Sequence, residues 1–570
     1  MGNFLQTQNI FSCGEVSPDF YAIHNMHGVS KLENMDVLQS GGIKRRDGLK
    51  SIASVANNAI LVPFIISETE KYLLVISSQS ISVYQNDTQI TTLIAPWNAT
   101  DLNKLQYAQR FNSLFFVHPD FPPRVLTKTS TGFAIKQLNF YTNPDVSVNI
   151  PFTRFDDTDG ISITITTSTI DNNHAIFTTN QDMWSNDWVG LRLLVNSKQW
   201  IVESVQNARV ATVYSNGSYT IPDHAITDWK EAAFSAKRGW PLSVSFHQNR
   251  LIFGGSPSAP NSIWMSKTGE YNNFDVGSGL DDEAIFVTLL SAQHNHISTV
   301  ISSDTLQILT SVGEWAISNT PLTPTNVNIK QHTSVGSIIT NYLPPQQMEG
   351  RTVFVSRSGK DIRELNMDVL NQTYNAEDLC CFAKHLMQNP ISIAYNPAEH
   401  RLYVVMSDGY IAVLNKYTNT EISAWGTYKT DGDFKYVSVL DGTTYVIVSR
   451  KNICYLEKFD NDCLNDANTY GFAYCVSALP LIVNNHAPKK VRARKINLRL
   501  KDTKTVFING MRLEIPNSAY DTNSNGYTGD LSMNLLGVQF DTMQPMWSIS
   551  SSEQLPATIL SVTIDGWYSL

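Results

Sequence analysis

The residues best able to do chemistry are a histidine pair, an Asx-rich run, six cysteines and two basic clusters. His294 and His296 in SAQHNHIS stand two apart. On a strand that spacing puts both imidazoles on one face, where they could ligate a transition metal. Asp281, Asp282 and Glu283 lie just upstream and could supply carboxylates for a metal or for acid–base work. The preferred reading is plainer: a solvated loop beside a strand. DTNSNGYTGD opens like a calcium loop, with Asp521, Asn523, Asn525 and Gly526, but its twelfth position is Ser532 instead of a bidentate Glu. It reads as an Asn/Gly turn. Cys13, Cys380, Cys381, Cys454, Cys463 and Cys475 include no CxxC pair. They read as free thiols of a reducing compartment, not as a zinc site or a disulfide framework.

Catalytic signatures are missing: there is no GxSxG, HExxH, P-loop or dinucleotide fingerprint. SVGEWAIS (Ser311 to Ser318) departs from the Asp-box of sialidase propellers, lacking the aspartate and setting the tryptophan too near the glycine. The sequence therefore predicts no enzyme and no cofactor. The basic clusters are IKRRDG, with Lys44, Arg45 and Arg46, and KKVRARKINLRLK from Lys489 to Lys501. Each is expected to be a solvated face or to pair with a partner. Contact with DNA phosphates, through Lys489, Lys490, Arg492, Arg494 and Lys495, is the second reading, since such contact needs only positive side chains within reach.

The elements that must position these residues are strands. Short Val/Ile/Leu/Thr/Tyr runs punctuated by Gly, Asn, Asp and Pro dominate, and long amphipathic helical patterns are almost absent. Only 16% of the 570 residues are charged, for a net charge of −9, while 42% are hydrophobic. That argues against a generally basic nucleic-acid binder and against a disordered acidic chain. The N-terminus has no apolar signal core, and Gln6 breaks a myristoylation pattern. The longest apolar run, AILVPFII from Ala59, is far short of the ~20 residues of a membrane helix.

Strand-turn-strand units start at Tyr72, Leu114, Leu251, Thr305, Thr352, Leu402 and Thr444. All steps but one fall in the roughly 40–55-residue range of propeller blades. A β-propeller of six or seven units is the leading expectation, with a serial β-sandwich array as the alternative. The long step between Leu114 and Leu251 leaves room for an inserted β domain, placed at 139–240 on the strands ISITITTS, VGLRLLV, WIVESV and VATVYS. The parts are then 1–60, propeller from 61–138 and 241–475, and a β-rich C-terminal domain at 476–570. In the basic run Ile496, Leu498 and Leu500 alternate with Arg499 and Lys501, which predicts a strand with one cationic side.

Several segments carry a resemblance. NIFSCGEVSPDFYAIHN, with Gly14 and Pro18, is followed by GGIKRRDGL, with Gly41, Gly42, Arg46 and Gly48. The long segment WPLSVSFHQNRLIFGGSPSAPNSIWMSKTGEYNNF contains Pro241, Phe246, Arg250, Gly254, Gly255, Trp264, Gly269 and Phe274. ISAWGTYKTDGDFKYVSVL contributes Trp425 and Gly432, and RKNICYLEKF ends the series at Phe459. In this order they resemble the podovirus tail nozzle family, also called tail tubular protein B or tail stabilisation protein. The resemblance implies a non-catalytic virion protein of the tail, assembled in the host cytoplasm. It implies a homohexameric ring that docks under the head-to-tail adaptor through its N-terminal segment, carries or adjoins tail fibres or spikes, and conducts DNA during ejection. On this reading Gly41, Gly42 and Gly48 serve turns, and the Pro241 to Gly269 residues shape one blade and its crossing from the insert. Arg250 could instead anchor a neighbouring subunit. The alternatives are a tail-associated propeller that binds or cleaves polysaccharide, and a propeller scaffold for protein partners.

Overall fold

The computed structural model describes residues 2–569 apart from 22–26, 169, 172, 217–218, 292, 369, 371–372, 468–469, 482–487, 489, 517–525, 536–538 and 541–544. Among the described residues there are strands and single 3-10 turns but no α-helix. None is long and apolar enough to cross a membrane as a helix.

Seven four-stranded antiparallel meanders follow one another along the chain, and they are the blades of a β-propeller. In chain order, blades 1 to 6 span 60–94, 106–137, 243–288, 297–333, 346–378 and 390–428. Blade 7 is built from three strands at 433–460 and completed by Gly48–Val55, which pairs with Ile453–Asp460. The seven repeat starts read from the sequence all mark the second strand of a blade. Those strands are buried along nearly their whole length, Arg250–Gly254 and Leu306–Thr310 at every residue. Burial on both faces explains why they appear in sequence as continuous apolar runs with no alternation.

Two compact units divide the chain. The first comprises 1–102, 343–367 and 375–570 and carries blades 1, 6 and 7 with most of blade 5. Its distinctive part is a sheet made from both ends of the sequence. Lys490–Thr503 lies between Tyr527–Asn534 and Thr558–Ser569, and the last of these also pairs with Gly2–Gln8 and Ile43–Arg45. One core of this unit, including Phe11, Val37, Ile43, Ile496, Leu498, Val562 and Ile564, mixes residues from both ends. This corrects the division into a 1–60 segment and a 476–570 domain. The ends form one layer, and the segment before residue 60 also donates a blade strand. Pairing between chain ends leaves no local signature, because each strand alone shows only period-2 alternation.

The second unit comprises 103–342 and 368–374 and carries blades 2, 3 and 4. Within 139–240 the chain forms a separate seven-stranded sheet from Phe152 to Ala232. It has its own core, with Trp184, Trp188, Trp200 and Trp229 around Ile163, Phe177 and Val213. Four buried tryptophans give so small a sheet much of its hydrophobic area. Arg238, on the return toward blade 3, donates to Glu231 and forms a bidentate pair with Asp157, fixing the exit of the insert.

Candidate functional site

The motif residues separate into two structural knots. In the first unit, Gly14 pairs in parallel with Trp425 of blade 6. Its φ of +61° and the Trp425 backbone directly above it leave no room for a side chain. The Trp425 indole donates to the Leu379 carbonyl. Pro18 opens an exposed 3-10 turn, Gly41 has the positive φ of a tight turn beside Gly42, and Gly48 opens the last strand of blade 7 instead of a turn. Gly432 lies flush against the Ser449 carbonyl, just before Asp433–Leu440.

Arg45 and Arg46 are not a solvated face. Both are buried, and only Lys44 of the trio is near solvent. Arg46 spends all five N–H donors: two on the Asp466 carboxylate at 3.0 and 2.8 Å, and one each on Asn34 Oδ1, the Asp47 carbonyl and the Lys429 carbonyl. Its guanidinium also lies 3.6 Å from the Phe472 ring centroid. Arg45 donates only to carbonyls, those of Glu553, Leu555, Leu464 and Phe472, and burial pulls it down to about 10. A fixed planar fork is what lets an arginine tie several chain segments at one point.

In the second unit the segment Trp240 to Phe274 folds as the entry into blade 3. Pro241 is buried at its start, Phe246 meets Phe115 and Tyr271 edge-on, and Phe274 stacks on Phe253. Trp264 packs edge-on against Phe234. Gly254 ends the second strand of the blade, and Gly255 and Gly269 follow the second and third strands, both with positive φ. Arg250 does not face outward to a neighbour. It is 1% exposed and donates to the carbonyls of Ser266, Asp281 and Glu283, holding the 281–283 loop by its backbone. The Glu283 carboxylate meanwhile accepts from the backbone N–H groups of Gly279 and Leu280. His294 and His296 are exposed in a loop before Ile297–Ser302. No group of three metal-ligating side chains occurs among the described residues. The 521–525 part of the calcium-like turn lies outside them.

The cationic strand is present as Lys490–Thr503, its outer face carrying Lys490, Arg492, Arg494 and Lys495 in solvent. Lys489 lies outside the described residues. Arg494 faces Asp565 at 3.7 Å and Arg499 forms a bidentate pair with Asp530, whereas Lys490, Arg492 and Lys495 form no ion pair among the described residues.

One feature of the second unit was not legible in the sequence: a cleft of about 540 Å³ between the insert sheet and blade 3. One wall is the outer face of the insert sheet. Arg192 and Leu194 alternate with the core residues Leu193 and Val195, and register sets Lys230 beside Leu194 and Tyr214 beside Ile201. The opposite wall is aromatic: Trp264 and Phe286 are cross-strand partners, stacked at 5.8 Å. Arg192 has no hydrogen bond or ion pair among the described residues, and burial alone holds its guanidinium below the ordinary range. The Trp264 indole N–H is buried without a partner there. The available signal was a lone arginine alternating with apolar residues in VGLRLLV. Its counterpart, Phe286, lies too far away in sequence for pattern to link them.

With seven four-stranded blades, one completed by an N-terminal strand, the chain is a β-propeller protein carrying an inserted β domain. No protein-family model matches it, and no curated protein sequence matches it. Among solved structures it is similar to BamB from Moraxella catarrhalis, at 10% identity and a TM-score of 0.34, covering 72% of this chain and 98% of that one. It is also similar to the C-terminal WD40 domain of Sif2, at 12% identity and a TM-score of 0.35, covering 73% and 99%.

Proposed function

We propose that the chain is a structural subunit of a short-tailed phage tail, forming a hexameric nozzle that extends the head-to-tail adaptor and conducts DNA during ejection. The observation that carries this reading is the ordered set of family-like segments from Asn9 to Phe459, above all the long run Trp240 to Phe274. That run forms the entry from insert to blade 3, with three largely buried strands. The role is mechanical and needs no catalytic group or cofactor. It places the protein in the virion tail, after assembly in the host cytoplasm. Its partners are five copies of itself, the adaptor, and tail fibres or spikes.

The exposed Lys490, Arg492, Arg494 and Lys495 offer a docking face, or a transient contact for passing DNA. A net charge of −9 suits a conduit that must not hold its cargo. Mass measurement of the purified assembly, with end-on electron images of particles, tests the reading. Six copies around an open axis are expected, and a stable monomer within intact virions would overturn it.

A further inference from the structure

We propose that the cleft between the insert sheet and blade 3 is a binding site for an acidic sugar unit of a polysaccharide. Arg192 and Lys230 meet the ring carboxylate and Phe286 meets the flat face of the pyranose. The inference does not rest on the nozzle reading, since it uses only the second unit.

Three observations converge on such a ligand. The first is unspent charge. Arg192 is half-buried in the wall with no carboxylate or hydrogen-bond partner among the described residues, and Lys230 forms no ion pair there. The register makes the two diagonal neighbours, about 7 Å apart at Cβ by sheet geometry, close enough to share one carboxylate. A guanidinium held half-buried and unpaired has an incomplete solvation shell, and a bidentate carboxylate completes it.

The second is unspent apolar surface. Phe286 is 44% exposed although its other face is stacked on Trp264. One ring face is thus presented to the cleft. Val146 and Val276, each more than half exposed, border the same space. An open aromatic face takes the C–H side of a sugar ring without needing a planar partner.

The third is the mixed sign of the rim. Asp145 and Asp275 also line the cleft. Carboxylates accept from sugar hydroxyls but repel a polyphosphate, so the site favours one acid among many hydroxyls over a nucleic-acid backbone. Its volume of about 540 Å³ is within the ordinary range of small-ligand sites.

The test uses the full chain and two probes, a glucuronate-containing hyaluronan tetrasaccharide and sialyllactose, titrated calorimetrically at low salt. At least one should bind with a Kd below about 1 mM. The uncharged chitin tetrasaccharide should bind at least about tenfold more weakly, as should the acidic probe to R192Q or F286A. K501Q, on the cationic strand of the first unit and not among the cleft residues, should bind like the parent. Far-UV circular dichroism melts check folding, and if R192Q has lost its native transition, K230Q and F286A carry the comparison. The proposal is overturned if neither acidic probe binds, or if folded R192Q and F286A both retain full affinity. Displacement by an oligothymidylate or by sulfate at equal concentration would overturn the sugar assignment.

Discussion

Arg46 and Arg192 are both arginines in a β framework, and their surroundings differ completely. Arg46 belongs to a basic trio that looks, in sequence, like a surface for a partner. It is fully buried, with every donor spent on one carboxylate, one amide and two carbonyls. Arg192 looks like an ordinary strand residue, yet it stands in a cleft with no partner among the described residues. The comparison teaches that availability for a ligand is set by what remains unpaired after folding, and a charge run does not measure that.

The strongest way to break this contrast is Arg46→Met. It removes the partner of Asp466, which is itself buried, and strands a carboxylate. A loss of about 3–5 kcal/mol is expected, read as a lower urea midpoint for the transition that contains the first unit. A mutant that unfolds like the parent would show that the knot is not holding the chain ends to blade 7. Arg250→Met should be milder. It leaves the carbonyls of Ser266, Asp281 and Glu283 without this donor, for about 1–3 kcal/mol in the transition of the second unit. R192Q should differ from both, staying within about 0.5 kcal/mol of the parent, because it removes a half-buried charge that pairs with none of the described residues. A large loss in R192Q would mean that the cleft arginine is structural after all.

The same logic explains what could be read from the sequence. Blade centres were legible because a strand buried on both faces must be apolar throughout, as LIF at Leu251 to Phe253 and YVVM at Tyr403 to Met406 are. The insert announced itself by the gap in that rhythm. The strand at Lys490–Thr503 was legible by its alternation, but its neighbours were not: nothing local tells that Leu498 faces Val562 and that Gln8 pairs with the same residue. The fates of Arg45, Arg46 and Arg250 were illegible for a related reason. Their acceptors are mostly backbone carbonyls, which every residue carries, so no sequence pattern marks them. The cleft needed two surfaces, one near Arg192 and one near Phe286, brought together only by folding.

The smallest predicted effect concerns a cation that lies between these extremes, paired but near solvent. His174 of the insert sheet has Nδ1 2.6 Å from Asp171 and Nε2 3.2 Å from Glu203. The hydrogen bond to Asp171, aided by both carboxylate charges, raises its imidazole above the ordinary 6.5. A folded value above the unfolded one means the pair contributes fully below about pH 6.5, and that contribution fades as pH rises through the raised value. Titration of the His174 ring by NMR should therefore give an apparent pKa above 6.5, and Asp171→Asn should bring it down without shifting the other histidines. The insert should melt slightly earlier at pH 8 than at pH 6 in the parent, with the difference reduced in the variant. If Asp171→Asn leaves the titration unchanged, the ion pair is not holding the proton, and even a short contact near solvent then counts as unpaired in the sense that separates Arg192 from Arg46.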